Sequence, residues 1–392
     1  MNPETSPAEI QSAPPPLAPG GKGHHFSGRQ IAIVASIILA ILLVATAFVC
    51  ATWGFFWEGA AVRKWQIVPF SLSALFVPAT IIGMRQSDPV VRFLYRISSV
   101  WLGVLSFCVV AAGACWPLLG IVRLAGLGIS PRAIAAPLFA IAAAVSIYGI
   151  LNASRIRISR IDVELPNLPE RWRERRAALV TDLHLGNLNG AGFAGHVASR
   201  LQRLGADVVF IVGDLFDGTQ SDVGRLAAPL KRLRAPFGVY FVTGNHEEFT
   251  DRQRYTQIVE QLGIRVLNNE KVTIEDVQVI GVHDGETGEP DFFRRILERA
   301  ELDPERPSIL LAHKPANLPI AEKAGISLQL SGHTHRGQFW PWTLIALRVY
   351  GQFAYGLNRF GKLMVYTSSG VGTWGPPLRV GTKPEIVLLR FV

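Results

Sequence analysis

Apolar residues fall along this chain in two regimes that meet near residue 152. Upstream, four long runs carry no charged side chain, at 31–53, 66–84, 98–122 and 133–151. Each approaches the roughly 20 residues that an α-helix needs to cross about 30 Å of hydrocarbon. Downstream, charges become frequent and short apolar runs alternate with amphipathic stretches. β-Branched composition predicts strands at 157–164, 177–181, 208–212, 239–243, 277–282, 309–312, 327–330, 364–367 and 386–391. Helical spacing lies between several of them, at 193–204, 223–233, 252–262 and 292–299. Strands alternating with helices predict an α/β domain whose sheet is buried on its inner face.

The upstream runs have further marks of membrane spans. Trp53, Trp57, Trp65 and Trp101 stand near their ends, as an interfacial aromatic belt requires. Pro69, Pro78, Pro117 and Pro137 are awkward in water-soluble helices and tolerated in spans. The first run is long for a signal peptide and follows a leader rich in Pro and Gly, including Pro14-Pro15-Pro16. That leader has too few apolar residues to fold, so a disordered tail is expected at 1–29, with no metal role for His24 or His25. The organisation expected is therefore a tail at 1–29, a four-helix transmembrane region at 30–152 and a catalytic domain at 153–392.

Basic residues in the connecting segments suggest an orientation. Lys22, Arg29, Arg85, Arg92, Arg96, Arg155, Arg157 and Arg160 share one side, against Arg63, Lys64, Arg123 and Arg132 on the other. The positive-inside rule then predicts a multi-pass cell-membrane protein with the domain in the cytoplasm. The interiors of the runs lack acidic and basic groups, which ion pathways usually need, so the spans are expected to anchor rather than transport.

The 392 residues carry 39 Lys and Arg against 30 Asp and Glu, a net charge of +9. Beside membrane spans, this balance suits a partnership with anionic membrane lipid. Without an aromatic-basic ladder for stacking bases, no nucleic acid is expected as a partner. Cys50, Cys108 and Cys115 all lie in the apolar runs, so the domain has neither disulfides nor thiolate chemistry.

Candidate chemistry collects where strands end. The run at 177–181 delivers Asp182 and His184; that at 208–212 delivers Gly213, Asp214 and Asp217; that at 239–243 delivers Gly244, Asn245, His246 and Glu247. The run at 309–312 ends at His313, and that at 327–330 leads into Gly332, His333, Thr334 and His335. Ligands at the C-terminal ends of neighbouring strands converge on one crevice. Oxygen and imidazole donors together suit Mn, Fe or Zn. The glycines let the backbone turn sharply and approach the site closely.

This ordered set, D-x-H, G-D-x-x-D, G-N-H-E, H and G-H-T-H, resembles the calcineurin-like metallophosphoesterase superfamily. It looks closest to the membrane-associated bacterial branch, through Gly332 to Gln338 (GHTHRGQ) and Ser368 to Thr373 (SSGVGT). The resemblance covers about 155–392. It implies a fold class of four N-terminal transmembrane helices followed by an α/β metallophosphoesterase domain, a β-sandwich flanked by helices. It implies two divalent metal ions (Mn, Fe or Zn), one on Asp182, His184 and His335 and the other on Asn245, His313 and His333, bridged by Asp214. His246 would be catalytic, facing the substrate. The reaction implied is hydrolysis of a phosphodiester, phosphomonoester or pyrophosphate by a metal-bridging hydroxide. The anchor, the basic exit segment and the aromatic segment at 340–355 extend this to a phosphorylated substrate that is lipid-linked.

Residues around the motifs are read separately. Asp217 and Glu247 are expected to support the site without ligating, His196 and His283 to be structural, and Asn187 to be a candidate substrate contact. Arg336 stands where this branch more often has Gly, and is a candidate ligand for a second phosphate. The aromatic segment reads equally as a lid, a lipid-facing surface or a packed loop. Two other function classes remain beside the enzyme: a non-catalytic metal or phosphate sensor or scaffold, and a transporter with an appended domain. Nothing in the sequence sets an oligomeric state.

Overall fold

The computed structural model describes residues 27–57, 64–86, 88–219, 222–248 and 251–392. Most of the expected tail, with Lys22, His24 and His25, and also Arg63, lies outside the described residues. Helix α1 (Gly28–Trp57) begins two residues inside the expected tail and is followed by α2 (Ile67–Arg85), α3 (Pro89–Leu124) and α4 (Pro131–Ala153). All four are long and apolar enough to cross a membrane.

Local sequence fixes where α3 and α4 start. The Asp88 carboxylate accepts from Val90 N and Val91 N, and Ser130 Oγ accepts from Ala133 N, with a proline next in each case. At 36 residues, α3 is about 54 Å long, against about 30 Å of hydrocarbon. It is thus longer than one such crossing needs, and Arg92 and Arg96 lie in its first turns. Indole donors link the helices: Trp101 Nε1 donates to Ser73 Oγ at 2.8 Å, and Trp116 Nε1 to Thr52 Oγ1 at 3.0 Å.

The rest of the chain builds two six-stranded sheets. The first has the order β1-β12-β2-β3-β4-β5, from β1 (Arg157–Val163), β2 (Arg176–Val180), β3 (Val208–Val212), β4 (Val239–Val242), β5 (Arg265–Val266) and β12 (Glu385–Phe391). The second has the order β10-β11-β9-β8-β7-β6, from β6 (Glu270–Ile274), β7 (Val277–Val282), β8 (Ser308–Ala312), β9 (Leu328–Ser331), β10 (Gly356–Phe360) and β11 (Leu363–Thr367). Strands β2 to β5 run parallel, as do β7, β8, β9 and β11.

Alternation along the strands determines the layers. Ala177, Leu179, Phe210 and Val212 pack against Val279, Ile309, Leu311 and Leu330 of the opposite sheet. Their neighbours Ala178, Val180, Val209 and Ile211 turn outward onto Val197 and Leu201 of the helix Ala191–Leu204. On the far side, Ile280, Leu310 and Ala312 pack on Phe293 and Ile296 of the helix Pro290–Arg299. Strands buried on both faces read as continuous apolar runs, which is why they were legible in the sequence.

The elements depart from expectation in several places, among them the short helices Asn245–Glu248, Asp284–Thr287 and Leu318–Lys323, which were not expected. Strands β5, β6 and β10 are additional. The expected helix at 223–233 is an α-helix only over Val223–Ala227 and then tightens to a 3-10 turn, Ala228–Arg232, with Pro229 at its start. The aromatic segment contains a nine-residue helix, Trp342–Tyr350, ended by Gly351 at φ +56°.

The domain is docked on the helices through the same loops that follow its strands. Asn187 Nδ2 donates to Gly83 O of α2 at 2.8 Å, and Arg96 of α3 donates to Asn187 O and Leu188 O. Asn152 of α4 donates to Arg379 O and Thr382 O, while Arg379 N donates to Gly149 O. Leu378 is buried with Phe107, Ala111 and Ala142. Close approach requires the glycine at 149, where a Cβ would press on Val380 and Leu378.

Candidate metal centre

The five strand ends bring Asp182, His184, Asp214, Asn245, His246, His313, His333 and His335 together at one edge of the sandwich. Asp182 and His184 follow β2, Asp214 follows β3, and Asn245 and His246 open a short helix after β4 (Asn245–Glu248). His313 follows β8, and His333 and His335 follow β9. As the chain leaves the strands, Asp182, His184, Asp214, His333 and His335 all take positive φ, between +46° and +67°. Each such residue costs about 1–2 kcal/mol for an L side chain. Loop hydrogen bonds hold them there: Asp182 N to Gly213 O, His184 N to Asp214 O and Gly372 N to Asp182 O. Clustered backbone strain of this kind is typical of functional sites.

Two sets of donor atoms gather within 4.8 Å of one another: Asp182, His184 and His335, and then Asp214, His313 and His333. Within the first, His184 Nε2 and His335 Nε2 are 3.0 Å apart, and His335 Nε2 is 3.4 Å from Asp182 Oδ1. Asp214 Oδ2 links the sets, 3.8 Å from His184 Nε2 and 3.1 Å from His313 Nε2. A third grouping, of His184, Asp214 and His246, lies across the middle. Gly244 is obligatory beside this junction, because a Cβ there would collide with the Asp214 carboxylate.

Burial controls the charges. It pushes the His184, His333 and His335 imidazoles down, His333 to about 3, leaving each neutral with a lone pair to donate. Burial lifts the Asp182 carboxyl to about 7. It would also lift Asp214, but the charges of His313 and His246 hold that carboxyl well below the usual range. His313 is the converse case: burial opposes its charge, yet Asp214 beside it holds the imidazole up at about 10.

The donor set fits a pair of divalent cations. Asn245 Oδ1 and His184 Nδ1 are buried without a hydrogen-bond partner, and so is His313 Nε2. His313 Nε2 is near Asp214 Oδ2, but off the hydrogen-bond direction. Unsatisfied buried polar atoms cost about 1–3 kcal/mol each. A cation at the site would satisfy such atoms, and in the ligand set that the resemblance implies Asn245 and His313 share one cation.

The neighbouring residues sort by what they touch. Glu247 accepts from Asp214 N, Gly244 N and Phe216 N, tying two loops together, and burial pushes its carboxyl up to about 8. Asp217 is likewise raised by burial, to about 6, and its carbonyl lies 3.1 Å from His246 Nδ1. His246 N donates to Asp214 Oδ1, and its ring meets those of His184 and Trp374 edge to face. His283 lies in a separate buried cluster with Asn268 and Thr243, and His196 accepts from Arg200 near the surface. Asn187 donates from Nδ2 to α2, while its Oδ1 is buried without a partner. The Arg336 guanidinium sits 4.6 Å above the Tyr355 ring.

Sequence reading missed Arg379. It is wholly buried, donates from Nη1 to His335 O and from Nη2 to Gly372 O, and places Nη2 3.3 Å from His335 Nδ1. A buried arginine in G-P-P-L-R belongs to none of the motifs quoted above, so no sequence signal marked it.

A helix-flanked double sheet with Asp, Asn and His at its strand ends defines the class, and residues 175–337 match the family described as calcineurin-like phosphoesterase. The chain belongs to the calcineurin-like metallophosphoesterase family. An uncharacterized metallophosphoesterase of Aquifex aeolicus is 30% identical over 257 residues, covering 64% of this chain and 97% of that one. A transmembrane protein with metallophosphoesterase domain from Danio rerio is 35% identical over 265 residues, 63% of this chain and 60% of its own length. An uncharacterized metallophosphoesterase of Helicobacter pylori is 33% identical over 224 residues, 56% of this chain and 60% of its own. This chain thus spans about three-fifths of the Danio and Helicobacter relatives.

Proposed function

We propose that this protein is a membrane-anchored hydrolase of phosphate esters or anhydrides working with two divalent cations, Mn, Fe or Zn. The observation that carries the reading is the pair of donor sets linked by Asp214, with the buried His313 Nε2 and Asn245 Oδ1 both without a hydrogen-bond partner. Asp182, His184 and His335 would hold one cation, Asn245, His313 and His333 the other, and Asp214 both. Two such cations supply Lewis acidity, lowering the pKa of water toward about 7 and offsetting charge on the phosphoryl oxygens. His246 positions the phosphoryl group and carries a proton to the leaving oxygen, its Nδ1 braced on Asp217 O. Asp217 and Glu247 fix the loops on which these groups stand.

The basic segments bearing Arg85, Arg92, Arg96 and Arg155 adjoin the helix ends that contact the domain, which supports a multi-pass protein with a cytoplasmic domain. Because the site lies against the helices, its substrate is a lipid-linked phosphodiester, phosphomonoester or pyrophosphate. The test is hydrolysis of bis-p-nitrophenyl phosphate by the detergent-solubilised full chain with Mn²⁺ or EDTA, beside Asp214→Asn. Metal-dependent turnover absent from the variant is expected. A folded, metal-loaded protein inert on diester, monoester and pyrophosphate probes would instead support a sensor.

A further inference from the structure

The lining of one cavity joins the metal centre to the membrane helices. It measures about 400 Å³, has His333 and His335 on its wall, and is completed by Leu102 and Ser106 of α3 together with Trp342 and Trp374. Its depth relative to a bilayer follows from helix lengths. Counting about 20 residues back from Leu124, the far end of α3, places the near hydrocarbon boundary around residue 105. The same count along α4 from Pro131 ends around residue 150, beside the contacts of Gly149 and Asn152 with the domain. Two helices thus put the cavity at the level of lipid headgroups.

The helix Trp342–Tyr350 borders this cavity and is apolar on nearly every side. Leu344 is 58% exposed, Leu347 57% and Val349 64%, and Ala346 is its buried residue. Trp340 and Trp374 are exposed beside it. A soluble domain rarely displays so much contiguous apolar surface. At the depth set by α3 and α4, this helix instead meets the interfacial zone, where Trp residues are favoured and amphipathic segments insert.

We infer that this cavity is an acyl-chain groove: a phosphate-bearing membrane lipid enters from the bilayer between α3 and the helix Trp342–Tyr350. The inference rests on the phosphoesterase reading and assigns that site a way in. The phosphate reaches the metal centre past His333 and His335, while the chain lies along Leu102, Ser106, Phe339 and Trp342. Hydrolysis there breaks the P–O bond to the leaving group, forms a P–O bond to the oxygen of water and delivers a proton to the leaving oxygen. The aliphatic part of the lipid stays in hydrocarbon throughout.

The test uses the full chain in nanodiscs with two probes that share a scissile bond, p-nitrophenyl methyl phosphate and p-nitrophenyl hexadecyl phosphate. Expected is at least a tenfold higher kcat/KM for the hexadecyl diester. Ser106→Trp, which narrows the groove from the α3 side, should remove that preference, with turnover of the methyl diester reporting that the variant is folded and metal-loaded. Equal kcat/KM for the two diesters, or a preference that survives Ser106→Trp, overturns the groove while the phosphoesterase reading stands. Hydrolysis of neither by metal-loaded protein overturns the groove, and inertness on monoester and pyrophosphate probes as well overturns the phosphoesterase reading with it. A second readout needs no turnover: a nitroxide on Ile345→Cys, with the native cysteines replaced by Ser, should collide more with oxygen than with a nickel chelate. The reverse ordering would place the helix in water and overturn the inference.

Discussion

Replacing Arg379 by methionine should separate metal binding from folding. The guanidinium donates to His335 O and Gly372 O, and hydrogen bonds from a charged donor contribute about 1.5–3 kcal/mol each. Together they favour the native loop by roughly 3–6 kcal/mol. Against this stands the cost of keeping the charge dry, evident in a pKa pushed down to about 10 chiefly by burial. At about 1.4 kcal/mol per pH unit, that cost is roughly 3 kcal/mol. The net loss is then about 0–3 kcal/mol, in line with other buried charges exchanged for apolar groups. For a domain of this size it lowers Tm by at most about 10 °C. Metal binding should weaken by about 10–100-fold, the contribution typical of groups that orient a ligand. Titration calorimetry with Mn²⁺ should show one site weakened to that extent and the other nearly unchanged. Arg379→Lys should behave the same way, since an ammonium lacks the planar fork that spans both carbonyls. Wild-type affinity at both sites in either variant would refute the idea that Arg379 positions His335.

Further expectations concern the same site. His246→Ala should lower kcat by about 10²–10⁴ with metal content unchanged, whereas Asp214→Asn should lose both; equal metal loss in the two would contradict a catalytic role for His246. Mn²⁺ affinity should rise with pH, because the metal displaces the proton held on His313 up to about 10 and, below about 7, a second one on Asp182. Apparent affinity should therefore gain roughly tenfold per pH unit between 7 and 9 and more steeply below 7, and a flat profile from pH 7 to 9 would refute it. Asn152→Leu leaves the carbonyls of Arg379 and Thr382 unpaired and should destabilise the detergent-solubilised protein by about 1–3 kcal/mol, read from its melting curve.

Much of the architecture was legible because burial is written into the chain directly. Strands β2, β3, β4, β7, β8 and β9 are covered on both faces, so their apolar runs stand out against the charged stretches between them. Strands β6 and β10 carry Glu270, Lys271, Asn358 and Arg359 at sheet edges, and that polarity hides them. The eight candidate site residues were readable because each follows a strand and sits in a short motif. The hydrogen bond from Asn187 Nδ2 to Gly83 O could not be foreseen, because its partner is 104 residues away on helix α2. The helix Trp342–Tyr350 was read as an aromatic segment and not as a helix, because its apolar positions lack a polar face. Arg336 has an aromatic partner in Tyr355, which local sequence does not announce.

The most direct test of the central claim is an anomalous difference map from crystals of the full chain grown with Mn²⁺. The account predicts two peaks about 3.5–4 Å apart, one among Asp182, His184 and His335, the other among Asn245, His313 and His333, with the Asp214 carboxylate between them. A single peak, or two peaks without Asp214 between them, would contradict it.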